Sequence, residues 1–178
     1  MAVDAPAYFL HSERLGFRHW SADDVELAMG LWGDPLVTRL IDSRDRLPAA
    51  AVAERLQAEI TMREQHGIQY WPIFALATGE HVGCCGLRAY EPAARIHEFG
   101  VHIRSACWGR GYAREASRAV IDHAFDHLGA RGLFAGHHPG NDASRRLLEK
   151  LGFRHTHDAF YPPTGLMHPS YLLVPGAR

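Results

Sequence analysis

Little in this chain of 178 residues points toward export, a membrane or a disulfide framework. It has three cysteines, Cys84, Cys85 and Cys107, and two of them are adjacent. An odd set of this kind does not staple a small secreted fold, so we read the thiols as reduced and packed, with Cys84 and Cys85 on opposite faces of one strand. No apolar run approaches the roughly 20 residues needed to cross a bilayer. The opening Met-Ala-Val-Asp-Ala-Pro has neither the basic start nor the apolar core of an export signal, so the expected location is the cytoplasm. A basic excess is missing too, since 19 Lys and Arg face 20 Asp and Glu and the formal charge is -1. That balance excludes a broad electrostatic grip on nucleic acid. There is no internal repeat and no low-complexity linker.

What remains is an ordinary globular composition, 47% hydrophobic and 22% charged, and one domain over residues 1–178 is expected. Leu15, Phe17 and His19 alternate as in a strand. Ser21 with Asp24 three positions on reads as a capped helix start, ahead of Val25, Leu27, Ala28 and Leu31, and Gly33 and Pro35 end or interrupt that helix. Pro48 suits the first turn of a second helix with a Val52, Leu56 and Ile60 stripe, closed by Gly67. Residues 70–77 and 82–90 read as a hairpin, and 96–103 continues the meander. A helix with Ala113, Ala116, Val120, Ile121, Ala124 and Leu128 on one face follows, with Gly129 as its cap. A strand over 133–137 comes next, then a helix capped by Asn141 or Asp142 and ended by Gly152. Strands over 153–160 and 170–174 close the chain, joined by a loop with Pro162, Pro163, Gly165 and Pro169. A mixed sheet with helices on both faces, an α/β (α+β) fold, buries these elements most simply.

The centre of this order is His97 to Ala116, where Phe99, Val101 and Ile103 mark a strand, Trp108-Gly-Arg-Gly-Tyr-Ala113 a turn, and the residues after it a helix. The first turn of a helix leaves backbone N–H groups without partners and carries the positive end of the dipole. Glycine lets such a backbone approach an anion closely. Arg104, Arg110, Arg114 and Arg118 could form a local basic patch suited to a small polyanion. A nucleotide is the weaker choice, because neither a Walker lysine nor a full dinucleotide fingerprint is present.

Four blocks in this order resemble the GNAT superfamily of acyl-CoA-dependent N-acyltransferases, and within it the Rim-type group that acetylates ribosomal-protein N-termini. They are Ser12-Glu-Arg-Leu-Gly-Phe-Arg18, Glu98-Phe-Gly-Val101, Trp108-Gly-Arg-Gly-Tyr-Ala-Arg-Glu-Ala116, and residues 141–153 from Asn141 to Phe153. The resemblance implies a mostly antiparallel sheet of six to seven strands, splayed between the fourth and fifth. It implies that backbone of Trp108, Gly109, Arg110, Gly111, Tyr112 and Ala113 holds the pyrophosphate of acetyl-CoA. Val101 and Ile103 would pair with the pantetheine arm, and Asn141 and Ser144 would lie against the cofactor. Two positions depart from the wider pattern: Trp108 stands where Gln or Arg is usual, and Leu148 where many members carry a Tyr acid.

Acetyl transfer to an amine needs a neutral nucleophile, a donor to the developing oxyanion and release of a thiolate. Glu98, on the strand beside the expected thioester, is the first candidate base, and a structural carboxylate is its alternative. His102 on the same strand face is a weaker base candidate. Ser144 could donate to the leaving sulfur or simply contact CoA, and the oxyanion is better held by a backbone N–H of the fourth strand. His123 and His127 are spaced for a metal but lack a third ligand, so a solvated helix flank is expected and no metal. His137 and His138 end the fifth strand, in an acceptor or a loop role. The expected partners are acetyl-CoA and a primary amine, with no membrane and no nucleic acid, and a homodimer is allowed for. A protein N-terminus is the leading acceptor, against a small amine such as an aminoglycoside, polyamine or amino acid; a non-catalytic acyl-CoA-binding module is the other alternative.

Overall fold

A computed structural model describes residues 8–44 and 46–176, so the opening six residues read for an export signal lie outside the described residues. The described strands are β1 (Leu10–His11), β2 (Leu15–Phe17), β3 (Tyr70–Ala75), β4 (His81–Glu91), β5 (Ile96–Ile103), β6 (Gly132–Gly136), β7 (Arg154–Tyr161) and β8 (Leu166–Leu173). They form one sheet in the order β1-β2-β3-β4-β5-β6-β8-β7. Neighbours are antiparallel except β5 and β6, which are joined by a helical crossover and run parallel. The helices are α1 (Val25–Trp32), α2 (Pro35–Thr38), α3 (Ala49–His66), α4 (Tyr112–Asp126) and α5 (Asp142–Lys150).

Each face of the sheet carries its own core. On one side Ala116, Val120, Ile121 and Ala124 of α4 and Leu148 of α5 pack on Leu15, Trp71, Cys85, Leu87 and Leu133. On the other, Ala28, Leu31 and Trp32 of α1 and Val52 and Leu56 of α3 pack on Trp20, Tyr70 and Cys84. The adjacent thiols therefore do face opposite ways, and burial pushes both up, so they stay protonated. The β3 and β4 strands are covered on both faces, which is why they read as nearly unbroken apolar runs.

Several boundaries differ from expectation for local reasons. The sheet has eight described strands rather than six or seven, because a two-residue β1 pairs with β2 at Leu10↔Phe17. Pro35 opens the short α2 rather than ending a helix, with the Asp34 side chain accepting from the Leu36 N–H at 2.9 Å. Pro48 caps α3 from outside, its carbonyl accepting from Val52 N–H at 3.1 Å. Leu128 lies beyond the end of α4 and is exposed, with Gly129 further on rather than at the cap. Pro169 is in β8 opposite Asp158, because a tight turn over 162–165 returns the chain early.

The β5–β6 ladder is short. It runs from Ile96↔Gly132 through His97↔Leu133 to Glu98↔Phe134 and stops, while β5 stays paired with β4 as far as Ile103↔Gly83. Beyond Glu98, β6 pairs only with β8. The sheet thus opens between the strands counted fourth and fifth in the sequence, β5 and β6, and one edge of residues 99–103 has no strand partner.

Candidate active site

The glycine turn stands at the far end of this opening. Gly109 and Gly111 have φ of 76° and 78°, in the left-handed region where a Cβ is strained, and α4 starts at the next residue. No side chain caps α4, so its first N–H groups keep their capacity for an anion. The turn is braced from the N-terminal segment. Glu115, in the first turn of α4, accepts from the Ser12 hydroxyl at 2.6 Å, from the Arg14 N–H at 2.7 Å and from the Arg14 Nε at 2.7 Å. Partial burial works to raise the Glu115 carboxyl, and these donors outweigh it and hold the group below the usual carboxylate range. Arg14 also donates to the Arg110 carbonyl at 3.0 Å and lies over the Tyr112 ring. Arg104 does not join the basic patch, since its guanidinium turns to the His81 carbonyl at 3.2 Å.

Backbone alternation decides which β5 groups face the opening. Arg104 N–H bonds to Val82 O on β4 at 3.0 Å, so the N–H and C=O of Ile103 and Val101 turn to the other, unpaired edge. Trp108 occupies one of these groups, its indole N–H donating to Ile103 O at 2.8 Å. That leaves the Ile103 N–H and both backbone groups of Val101 for a ligand. The Trp at this position is thus a brace between strand and turn.

A cleft of about 350 Å³ fills the opening and is lined by Glu98, Val101, His102, Asn141, Ser144 and Leu148, among others. Glu98 accepts from the Tyr70 hydroxyl at 2.8 Å. Tyr70 reaches it over Gly100, where any Cβ would sit 2.3 Å from the phenol oxygen. Burial and the Glu98 charge push Tyr70 well up, so it remains a donor. Arg88 stacks on the Tyr70 ring at 4.1 Å and pairs with Glu59, whose other oxygen accepts from Tyr70 N–H at 2.8 Å. Burial alone would lower Arg88; the Glu59 carboxylate, which is also hydrogen-bonded to it, and the Glu98 carboxylate outweigh burial and raise it.

His102 is a poor base here. Trp32 Nε1 donates to its Nδ1 at 3.2 Å, which takes the lone pair, and burial together with Arg55 and Arg88 drives its pKa well down. Asn141 caps α5 by accepting from Ser144 N–H at 3.0 Å, leaving the Ser144 hydroxyl on the cleft wall. Leu148 is a buried apolar residue with no proton to give. His137 is tied to the His138 carbonyl at 2.8 Å and to the Tyr171 hydroxyl at 3.3 Å, and both histidines reach the cleft. His123 packs against Phe9 and Trp71 and stacks on His127. Among the described residues no His, Cys, Asp or Glu cluster is placed to hold a metal, and no helix is long and apolar enough to cross a membrane.

The sequence reading missed Arg55, Glu59, Tyr70 and Arg88. One signal was available: Val52, Leu56 and Glu59 recur at helical spacing, and Glu59 is 1% exposed, a carboxylate on an apolar stripe.

Comparison with known proteins assigns the family and the fold. The family model "Acetyltransferase (GNAT) domain" matches residues 14–154. The uncharacterized N-acetyltransferase p20 of Bacillus licheniformis is 26% identical over 145 residues, 82% of each chain. A GNAT-family acetyltransferase from Bacillus anthracis superposes with a TM-score of 0.79 at 20% identity, covering 93% of this chain and 97% of that one. RimL, a ribosomal alpha-N-protein acetyltransferase whose structure holds coenzyme A, gives 0.80 at 16% identity over 97% of this chain and 100% of its own. At these identities the two structures show the shared fold. The chain belongs to the GNAT acetyltransferase family, enzymes that move an acetyl group from acetyl-CoA to an amine.

Proposed function

We propose that this acetyltransferase acts on the α-amine of a protein N-terminus, with Glu98 taking the proton of the incoming ammonium. The observation that carries the reading is the position of Glu98. It is the last β5 residue in register with β6, it lines the cleft, and Tyr70 fixes one of its oxygens at 2.8 Å. A carboxylate held this way suits an α-ammonium, whose ordinary pKa of about 8 asks less of a base than the ~10.4 of lysine. The likeness to RimL, named for acetylating a ribosomal protein's α-amine, supports the same choice.

The residues present fit acetyl-CoA. Backbone of Trp108, Gly109, Arg110, Gly111, Tyr112 and Ala113 would hold its pyrophosphate, Val101 and Ile103 its pantetheine arm, and Asn141 and Ser144 would lie beside it. Bound acetyl-CoA supplies an activated acetyl thioester. The Ser144 hydroxyl is the donor this wall offers to a departing sulfur, in place of the Tyr that Leu148 replaces. Val101 N–H, on the unpaired edge, is a backbone donor available to an oxyanion.

The test is CoA release with peptides of free and blocked N-termini. Release stimulated only by free α-amines, and independent of internal lysines, supports the reading. Acetyl-CoA binding that no amine converts to release would sink it and favour a binding module, the reading that the buried Leu148 keeps in play.

A further inference from the structure

Arg55 projects from α3 to the cleft and has no ion-pair partner among the described residues. Its Nε is buried and donates to nothing, and its guanidinium lies over the Trp32 ring at 5.0 Å. The nearby carboxylates are spoken for. Glu59 is held by Arg88 and Tyr70 N–H, and Asp42 by Arg44 at 2.8 and 2.9 Å. Burial and the Arg88 charge together lower the pKa of Arg55, a sign that the protein leaves this cation poorly compensated. A guanidinium nonetheless remains charged near neutral pH.

A buried N–H without a partner is costly, and so is a cation whose neighbouring carboxylates are already hydrogen-bonded elsewhere; each is relieved by a bound anion. The charge count says which anion. Arg55 and Arg88 are balanced by Glu59 and Glu98, so an acceptor bringing only an ammonium would leave one surplus positive charge. An acceptor bringing an ammonium and one carboxylate keeps the balance, and a dianionic phosphate would overshoot it. A carboxylate also matches the planar guanidinium fork.

Building on the acetyltransferase reading above, we propose that the acceptor carries one carboxylate close to its reacting amine, and that Arg55 binds this carboxylate while Glu98 faces the ammonium. Two sources share that chemistry: an acidic residue directly after the N-terminal residue of a protein, and the α-carboxylate of a free amino acid.

The test is calorimetric titration of the full chain, loaded with CoA, which has no acetyl group to transfer, with two pairs of free-amine acceptors. One pair is Ser-Asp-Ala amide and Ser-Asn-Ala amide; the other is serine and serine amide. We expect one pair to show tighter binding of its carboxylate member by about tenfold to a hundredfold, the range of a charge-assisted hydrogen-bonded pair, and which pair does so identifies the source. Arg55→Gln should abolish the preference, and Arg55→Lys should restore part of it. Both variants should bind acetyl-CoA as wild type does, which shows that they fold and keep the cofactor wall. Equal binding within both pairs by wild type, or a preference that survives Arg55→Gln, overturns the inference. Failure of wild type to bind acetyl-CoA would instead overturn the reading on which it rests, and absence of binding by all four acceptors with acetyl-CoA binding intact counts against the inference alone.

Discussion

The turn from Trp108 to Ala113 stands past the end of β5 and the charged pocket lines the cleft beside that strand, and they are built by different means. The turn is six consecutive residues whose useful groups are backbone N–H, shaped by two left-handed glycines and a helix start. The pocket is made of side chains from separate elements: Arg55 of α3, Tyr70 of β3, Arg88 of β4 and Glu98 of β5 line it, and the buried Glu59 of α3 holds Arg88 from behind. A backbone site tolerates change in most of its side chains, because the peptide supplies the donors. A side-chain site fails when one partner leaves, because the others are buried and charged. The two walls should therefore answer mutation and pH differently.

The largest effect is expected at Glu98. Glu98→Gln keeps the shape and the Tyr70 contact but removes the proposed base, and kcat should fall by about 10²–10⁴-fold. Acetyl-CoA affinity measured by calorimetry should stay within twofold or so, since the two walls are separate. A parallel loss of both would break the comparison.

Next comes Glu59→Ala, which leaves Arg88 buried without its carboxylate. Urea unfolding should show a loss of about 3–5 kcal/mol, the range for breaking a buried pair from one side. An effect below 1 kcal/mol would mean that water reaches Arg88 and that the pocket is less closed than its geometry indicates.

On the other wall, Gly111→Val places a branched side chain at a φ of 78° and should cost about 1–2 kcal/mol of stability. Acetyl-CoA affinity should drop by about tenfold or more while the pocket stays intact. Unchanged affinity would remove the turn from the cofactor site.

The most gradual effect is that of pH. His102 is held neutral by burial, and His81 is pushed down to about 4 by burial and by Arg104. Both pKa values are lower folded than unfolded, so this stability is complete above the unfolded value of about 6.5 and declines as pH falls below it. Each group contributes at most about 1.4 kcal/mol per pH unit in that interval. The Glu115 brace of the turn is depressed in the same sense from a lower starting point, so it holds until pH falls below about 4.5. Thermal midpoints between pH 7 and 5 should decline, and His102→Asn should flatten that slope. A slope unchanged in the variant would show that His102 is solvated or charged when folded.

Legibility followed the same division. The β5 limits, the glycine turn and the Asn141 cap are local patterns, and the structure places them as the residues suggest. Where local signals misled, longer contacts decided. Pro169 joined a strand because the turn before it is tight, and Arg104 left the basic patch for the His81 carbonyl. Glu98 could be nominated as a base from its strand, but its orienting partner could not. Tyr70 lies 28 positions away and meets it only because Tyr70↔Gly86 and Gly86↔Gly100 are in register, leaving a glycine under the ring. Glu59 and Arg88, 29 positions apart, depend on the helix lying across the same strands.

The sequence by itself thus determined the glycine turn proposed to hold the cofactor. Peptide groups on consecutive residues take their directions from the local φ and ψ, and glycine spacing and a helix start suffice to aim them. Only the tertiary structure decided the charged pocket proposed to face the acceptor. Its charges come together through strand register and helix packing, and the same side chains one register apart would face the other layer of the sheet.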